Sequence, residues 1–143
     1  MTLSVVVADS QARIDAAKAL RIVVFVEEQG VPLAEEIDGL DQQATHIVAL
    51  DDGAVVATCR LLPDGTTVKL GRMVVAKERR REGIAAAMLR VADDESKSLG
   101  AEEIRLAAQS YAKALYEEAG YLAYGEPFPD CGIEHIWMSK QLR

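Results

Sequence analysis

The sequence has few cysteines, and those it has form no recognisable pattern. Cys59 and Cys131 are the two cysteines among 143 residues. Two are too few for a disulfide framework, and they lack the paired spacing of a zinc site. We expect both to be buried free thiols in a reducing compartment, where cysteine behaves mostly as a small hydrophobic residue. Neither a metal centre nor a disulfide-stabilised secreted fold is expected.

The sequence also lacks the long apolar runs that membrane-spanning helices need. No run reaches the ~18–20 residues required, and the N-terminus does not show the charged-then-apolar layout of a secretion signal. We therefore expect a soluble, cytoplasmic protein with no membrane partner. A length of 143 residues, of which 50% are hydrophobic and 27% charged, is typical of one globular domain spanning residues 1–143.

Positive charge is scarce overall but concentrated at one place. The chain has 16 Lys and Arg against 23 Asp and Glu, for a net charge of −7. This balance argues against a nucleic-acid partner, since nucleic-acid surfaces need a basic footprint. The segment "KERRR" (Lys77–Arg81) nevertheless holds four basic residues and one acidic residue. Such a local cluster favours a small anionic partner over a long polyanion.

The hydrophobic pattern predicts a mixed α/β domain with a mainly antiparallel central sheet flanked by helices. A β-branched run at residues 3–8 predicts the first strand, and apolar residues at helical spacing from Ile14 to Val24 predict the first helix. Residues 27–41 are acidic and predict a loop with room for a short helix. The later elements are a three-strand meander over 45–76, a helix with Ile84, Met88, Val91 and Leu99 on its apolar face, a strand at 102–108, a helix after Ser110, and strands at 121–125 and 135–142.

The stretch "RREGIAAAML", residues 80–89, places two arginines and a glycine immediately before a helix. A helix N-terminus carries unsatisfied N–H groups and about half a positive charge, and a glycine there lets a phosphate approach the backbone. The single glycine excludes a Rossmann fingerprint, and the missing Gly-Lys-Ser/Thr excludes a Walker loop. Taken alone, the stretch fits a pyrophosphate site and an ordinary solvated helix start equally well.

Together with its context, this stretch resembles a known family. "GRMVVAKERRREGIAAAML" followed by "LAAQSYAKALYEEAGY" is similar to the GCN5-related N-acetyltransferase (GNAT) superfamily, whose Q/R-x-x-G-x-G/A signature is matched by Arg80, Gly83 and Ala85. "FVEEQGVP", "EEID", "THIV", "CRLL" and "GIEHIWMSK" resemble the ElaA-like group more narrowly. The resemblance implies the GNAT fold and an N-acetyltransferase that uses acetyl-CoA as acyl donor and an amine as acceptor, but it names no acceptor.

The resemblance also implies a set of residues that bind the donor. The strand around Met73 matches the one whose backbone pairs with the pantetheine arm, and the stretch from Arg80 matches the pyrophosphate loop. A glycine within a strand suggests a bulge or a close backbone approach, so Gly71 predicts a strand that splays from its neighbour and forms a slot. The predicted set is Met73, Val74, Val75, Arg80, Arg81, Glu82, Gly83, Ile84, Ala85, Ala86, Gln109 and Ala112.

Three charged residues stand in unusual positions. Glu82 places an anion where family members often carry arginine or lysine, so we expect its side chain to point to solvent. Arg60 and Arg72 lie on predicted strands among apolar neighbours. Because arginine is rarely buried unpaired, one of them is expected to meet Glu28 or Asp38.

Amide formation by direct attack needs a neutral amine, a polarised carbonyl and a protonated leaving thiolate. Tyr116, in "ALYEEAGY", matches the family tyrosine that lies near the thioester sulfur and is our candidate general acid; the alternative is a tyrosine that packs the helix to the core. Gln109 matches a position with a role in binding the arm, or else caps its strand.

No general base stands out from the sequence. Glu28 and His46 are the candidates, with Glu27, Asp38 and His135 as further ones. The ordinary pKa of histidine, near 6.5, suits a base, but His46 shares a strand face with apolar residues and could equally be a core histidine. Glu27 and Glu28 end the predicted first helix, where carboxylates would favour a cationic amine. Two neighbouring carboxylates at such a place are more commonly just solvated.

Two other functions are compatible with the sequence. "RIVVFVEEQG", "EEIDGLD" and "CRLLP" faintly resemble autoinducer-synthase-like acyltransferases, although the chain is short for that family. A GNAT-like module that senses acyl-CoA without turnover is the alternative of another class. The partners expected for an acetyltransferase are a small-molecule or peptide amine acceptor and a second copy of the chain in a homodimer.

Overall fold

The protein is built on one seven-stranded sheet. The computed structural model describes residues 3–142. The strands are β1 (Leu3–Val7), β2 (Thr45–Asp51), β3 (Ala54–Asp64), β4 (Thr67–Val75), β5 (Glu103–Gln109), β6 (Leu122–Asp130) and β7 (Ile133–Gln141). Their spatial order is β1-β2-β3-β4-β5-β7-β6, and every neighbouring pair is antiparallel except β4 and β5, which are parallel. This confirms the predicted mixed α/β class with a mainly antiparallel sheet.

Helices cover both faces of the sheet. They are α1 (Gln11–Arg21), α2 (Leu33–Glu36), α3 (Ile84–Ser98) and α4 (Lys113–Glu118), with short 3-10 turns at Asp41–Gln43, Lys77–Arg79 and Ser110–Ala112. Met88 and Ala92 of α3 lie in the main core with Leu106 of β5, whereas Ala17 of α1 lies in a second cluster with Val48 of β2. The apolar periodicity of α3 thus seats it on the sheet as predicted.

The predicted apolar face of α3 was wrong at its last position. Ile84 and Met88 are buried, but Leu99 is 42% exposed. The helix ends at Ser98, and Gly100 follows with a φ of 84°. Leu99 therefore lies beyond the helix, and its side chain does not continue the apolar face that packs on the sheet. The glycine itself lies at the helix end, as the sequence predicted.

The first helix continues as a π-helical segment, Ile22–Glu28, where the sequence predicts a helix giving way to a loop. At its end, the Gln29 N–H donates to the carbonyl of Val24, five residues back, at 3.0 Å, and the Val31 N–H closes the turn by donating to the carbonyl of Phe25 at 2.8 Å. Such segments are rare and are frequent at functional sites. This segment places Glu28 and Gln29 near the part of the sheet where β4 and β5 no longer pair.

β4 leaves its parallel neighbour halfway along its length. β4 and β5 pair only from Thr67 to Lys69, and beyond that point the two strands separate. On its other side β4 has a bulge, because Arg72 and Met73 both lie opposite Cys59 of β3. The bulge adjoins Gly71, as expected, but the left-handed residue is Arg72, with a φ of 56°. Arg72 is held there because its guanidinium donates to the carbonyls of residues 35 and 36 at 3.3 and 3.1 Å.

The two cysteines lie in different environments. Cys59 is buried in β3, and burial raises the pKa of its thiol to about 12. Cys131 is exposed, contrary to the expectation of a buried thiol, because it lies in the tight turn between β6 and β7 with a φ of 51° and is followed by Gly132 at 76°. Both are free thiols, as expected.

Candidate functional site

A large cleft lies where β4 and β5 separate. Its volume is about 770 Å³. One wall is β4 from Gly71 to Val75, the other is the end of β5, and the loop before α3 closes one end. Of the predicted site residues, those that line this cleft are Met73, Val74, Val75, Arg80, Arg81, Gly83, Ile84, Ala85, Ala86, Gln109, Ala112 and Tyr116. Glu28, His46 and Glu82 do not line it.

The β4 wall offers an unpaired strand edge. Val74 and Val75 pair with β3 on one side, but beyond Lys69 β4 has no pairing with β5 on the other. Backbone N–H and C=O groups on such an edge need partners, and an extended ligand can supply them by adding itself as a strand. The edge is therefore suited to an extended, amide-containing arm lying in the slot.

The loop before α3 presents a helix N-terminus to the cleft. Gly83 precedes the helix with a φ of 82°, and a Cβ built on it would meet no atom of the described residues within 4 Å. Ala85 and Ala86 keep the first turn small, and the first N–H groups of a helix have no partner within it. Arg81 also has a left-handed backbone, with a φ of 67°. The arrangement can bind a phosphate through backbone groups.

Glu82 lies outside the cleft, but it does not simply point to solvent. Its Oε1 accepts a hydrogen bond at 3.1 Å from Nε of Arg79, whose Nη1 also donates to Asp51 Oδ2 at 2.7 Å. Because Glu82 bonds to Arg79 and lies outside the cleft, its charge is partly offset and turned away from an anionic ligand at the helix start. The sequence analysis did not single out Arg79, whose partner in β2 is distant along the chain.

Arg80 is bonded across the cleft to the end of the π-helical segment. Its Nη1 donates to Glu28 Oε2 at 2.6 Å and its Nη2 donates to Glu28 Oε1 at 2.9 Å. Its Nε donates to the carbonyl of Val75 at 3.1 Å. The hydrogen bonds from Arg80 hold the pKa of the Glu28 carboxyl below its usual range. A carboxylate held in this way is a weak general base for as long as the pair persists.

Gln29, which the sequence analysis missed, reaches the opposite wall. Its Nε2 donates to Gln109 Oε1 at 3.3 Å, and Gln109 Nε2 donates to Gln29 Oε1 at 2.9 Å. Gln109 was predicted to bind the donor's arm or to cap its strand, and in the structure it bonds to Gln29. No sequence signal pointed to this pair, because its members lie 80 positions apart and each could bond with water instead.

Tyr116 lies on the floor of the cleft. It is 7% exposed and packs edge-to-face against Tyr121, with ring centroids 6.0 Å apart. Burial raises the pKa of its phenol above the ordinary value. None of the described residues hydrogen-bonds to its hydroxyl. The phenol is thus protonated at neutral pH and free to donate, although it packs into the core as the alternative interpretation also expected.

The base candidates lie in different places. His46 is buried in β2, outside the cleft, with Nε2 at 2.9 Å from the carbonyl of Asp41. His135 lines the cleft, and its Nδ1 lies at 2.7 Å from the carbonyl of Ile133. Glu27 is exposed and does not line the cleft. The structure brings His135 into the cleft with Tyr116, and it does not do so for His46.

A second charged cluster lies beneath the acidic loop, at the far end of the cleft. Arg60 donates to both carboxylate oxygens of Asp38, and Nη2 of Arg72 donates to Asp38 Oδ2 at 3.2 Å. The hydrogen bond from Arg60 lowers the pKa of the Asp38 carboxyl despite partial burial. One of these arginines was predicted to meet Glu28 or Asp38; both meet Asp38, and Glu28 bonds to Arg80 instead. Asp38 lines the cleft but is fully engaged in this cluster.

Arg21, which is 1% exposed, completes this cluster from α1. Its Nε donates to Glu36 Oε1 at 2.6 Å, and its Nη1 and Nη2 donate to the two oxygens of Asp41 at 2.7 and 3.2 Å. Burial alone would raise the pKa of Asp41, but the bonds from Arg21 and Arg60 outweigh it and lower the pKa. The cluster anchors the acidic loop against the sheet and so fixes the far end of the cleft.

Within residues 3–142, no group of three or more His, Cys, Asp and Glu side chains is placed to hold a metal ion. Over the same residues, none of the helices combines the length and the hydropathy needed to cross a membrane.

Known proteins are similar to this chain in sequence and in fold. A family model described as an acetyltransferase (GNAT) domain matches residues 8–142. YjcF of Bacillus subtilis, an uncharacterized N-acetyltransferase, is 33% identical over 139 residues, which cover 96% of this chain and 99% of YjcF. An acyl-CoA N-acyltransferase from Pseudomonas aeruginosa is 28% identical with a TM-score of 0.85, covering 97% of this chain and 99% of that one.

More distant structures share the fold. ElaA of Escherichia coli superposes with a TM-score of 0.85 at 24% identity, covering 98% of this chain and 99% of ElaA. An aminoglycoside 6'-N-acetyltransferase, solved in complex with coenzyme A, superposes with a TM-score of 0.78 at 19% identity, covering 100% of this chain and 98% of that one. At these identities the likeness concerns the fold alone.

Proposed function

The chain belongs to the GNAT acetyltransferase family, and from this premise we propose that it transfers an acetyl group from acetyl-CoA to a primary amine by direct attack. The observation that carries the proposal is the cleft between β4 and β5, which combines an unpaired strand edge with an unobstructed helix N-terminus. The coenzyme A complex of a protein with the same fold supports the choice of donor.

The two parts of the donor fit two parts of the cleft. The pantetheine arm would lie along Met73–Val75, where β4 has no strand beside it on the β5 side and its backbone can bond to the amides of the arm. The pyrophosphate would bind the N–H groups at residues 83–86, with Arg80 and Arg81 beside it. Gln109 and Ala112, on the opposite wall, would contact the arm. A donor bound in this way brings its thioester towards Tyr116.

The transfer itself needs one proton to leave the amine and one to reach the sulfur. The amine nitrogen attacks the thioester carbonyl, the C–N bond forms, and the C–S bond then breaks. Tyr116 gives its phenolic proton to the departing thiolate. The base that takes the amine proton stays a prediction: Glu28 lies at the rim and His46 outside the cleft, whereas His135 lines it.

The acceptor is an amine on a small molecule or peptide. The carboxylates of Glu27 and Glu28, at the end of the π-helical segment, favour a cationic amine. We expect the protein to work in the cytoplasm without a nucleic-acid or membrane partner, as a single domain over residues 1–143. A homodimer stays a prediction from the sequence.

Thiol release tests the proposal. The protein would be incubated with acetyl-CoA and a panel of primary amines, and free coenzyme A would be measured over time. Turnover that depends on both the amine and the protein supports the proposal. Binding of acetyl-CoA with no turnover on a broad panel would support an acyl-CoA sensor instead. Calorimetry showing no binding of acetyl-CoA at all would overturn the donor assignment.

A further inference from the structure

The bonds between Glu28 and Arg80 occupy the part of the guanidinium that a phosphate would use. Two N–H groups of Arg80, one on each Nη, donate to the two oxygens of Glu28 at 2.6 and 2.9 Å. An arginine has one other pair of parallel donors, which includes Nε, and here Nε donates to the Val75 carbonyl. Paired donors are what arginine uses to bind carboxylate and phosphate groups. In this structure neither pair is open to a ligand.

The adjacent residue makes an equivalent bridge to the other wall. Gln29 and Gln109 exchange two amide hydrogen bonds at 2.9 and 3.3 Å. The consecutive residues 28 and 29, at the end of the π-helical segment, therefore reach both sides of the slot. Each bonds to a residue that the proposed function assigns to the donor, Arg80 for the pyrophosphate and Gln109 for the arm.

We propose that Glu28 and the donor's pyrophosphate compete for Arg80, so that Glu28 leaves Arg80 when acetyl-CoA binds. This proposal rests on the proposed function. The exchange favours the donor because a pyrophosphate carries more negative charge than one carboxylate and also gains the N–H groups at the start of α3. Of the described contacts, those of Glu28 are with Arg80 alone.

The pair is exposed enough for such an exchange. The side chains of Arg80 and Glu28 are 37% and 33% exposed, so water can solvate each of them when they separate. Exposed pairs are worth little, whereas removing one partner of a buried pair is costly because it leaves an uncompensated buried charge. The exchange leaves a free carboxylate at the rim of the cleft only after the donor has bound. The charge that a cationic acceptor meets is thereby coupled to the presence of the donor.

Binding affinities of charge-matched variants test this proposal. Calorimetry would compare coenzyme A binding to the wild type, Glu28→Gln and Glu27→Gln. Glu27 is exposed, neighbours Glu28 and makes no described contact with Arg80, so its variant removes the same charge without removing the bond. We expect Glu28→Gln to bind coenzyme A about two- to fivefold more tightly than Glu27→Gln, which is the range for an exposed pair.

Two further binding measurements isolate the contribution of the contact between Glu28 and Arg80. S-acetyl-pantetheine, which has no pyrophosphate, should bind Glu28→Gln and the wild type equally. In an Arg80→Ala background, Glu28→Gln should no longer increase the affinity for coenzyme A. Equal affinities of Glu28→Gln and Glu27→Gln for coenzyme A, or the same gain for S-acetyl-pantetheine, would overturn the proposed competition. Failure of every variant, and of the wild type, to bind coenzyme A would instead overturn the proposed function.

Discussion

Two parts of the cleft, its floor and the end closed by the loop before α3, hold their polar groups in opposite ways. Tyr116 is buried on the floor, and none of the described residues hydrogen-bonds to its hydroxyl. Arg80, at the end closed by the loop before α3, is more than a third exposed and makes three hydrogen bonds, two to Glu28 and one to the Val75 carbonyl. One group is largely buried and has no hydrogen-bond partner among the described residues, and the other is solvated and paired.

This difference separates two kinds of role. Burial disfavours the charged form of a group, so it keeps the Tyr116 phenol protonated and suits it to proton donation. An exposed pair is held by little free energy, so its members can exchange partners when a ligand arrives. The buried floor is thus suited to chemistry, and the exposed end to reversible binding.

The largest expected effect is at the buried floor of the cleft. Tyr116→Phe should lower kcat about 10²–10⁴-fold, the usual contribution of a general acid. A coenzyme A thiol resembles cysteine, whose ordinary pKa is about 8.5, so above that pH the thiolate leaves with less need of a proton. The ratio of wild-type to variant kcat should therefore shrink between pH about 7 and 9.5, as measured by thiol release.

The ratio is the informative quantity in that experiment. Deprotonation of the acceptor amine changes kcat of both enzymes in the same way with pH, so its effect cancels in the ratio. This holds provided that the chemical step limits the rate of both enzymes. Burial raises the pKa of Tyr116, so the phenol stays protonated across this pH range. A large defect that is constant with pH would point to positioning instead of proton transfer. An unchanged kcat with intact binding would assign Tyr116 to core packing.

A smaller effect is expected at the exposed end. Arg80→Ala should weaken coenzyme A binding about tenfold, since hydrogen bonds to charged groups are worth about 1.5–3 kcal/mol and Glu28 offsets part of this in the empty protein. Binding of S-acetyl-pantetheine should change little, because only phosphate groups gain from the cation. Equal losses for both donors, measured by calorimetry, would show that Arg80 supports the fold and not the phosphate.

The order of elements and several site residues followed from the sequence because they depend on local rules. Alternation, helical spacing and turn residues predicted the strands and helices, and a glycine before an apolar run predicted the helix start at Gly83. Tyr116 and Arg80 came from matching a family motif, and both line the cleft. These features are encoded within stretches of about 20 residues.

The partners of the charged side chains could not be predicted in the same way. Glu28 meets Arg80 across 52 positions and Arg21 meets Asp41 across 20, and an acidic loop offers each arginine several carboxylates of equal charge. The left-handed backbone of Arg72 was also missed, because hydrogen bonds to the carbonyls of residues 35 and 36 hold it there against its own preference. Such features depend on which segments the fold brings together.

The next prediction concerns the backbone at the exposed end. Gly83→Val should lower the free energy of unfolding by about 1–2 kcal/mol, because a side chain at a φ of 82° is strained even though its Cβ would meet no described atom within 4 Å. The added side chain would occupy the space proposed for the pyrophosphate. The wild type should gain about 2.7 kcal/mol of stability with acetyl-CoA at 100 times its Kd, and the variant less. Equal stabilisation in thermal unfolding would place the phosphate elsewhere.

The smallest expected effect is a gain in stability at the same loop. Arg81 has a φ of 67°, a left-handed conformation that costs a non-glycine residue about 1–2 kcal/mol, whereas glycine loses about 0.5–1 kcal/mol of conformational entropy. Arg81→Gly should therefore raise the free energy of unfolding by about 0.5–1 kcal/mol in urea titrations while weakening coenzyme A binding through the lost charge. Arg81→Ala is the matched control, since it loses the same charge but keeps the strained Cβ, and it should bind equally weakly without the gain in stability. If the two variants were equally stable, the left-handed backbone at Arg81 would carry negligible strain. The contacts of the loop would then be enough to account for its conformation.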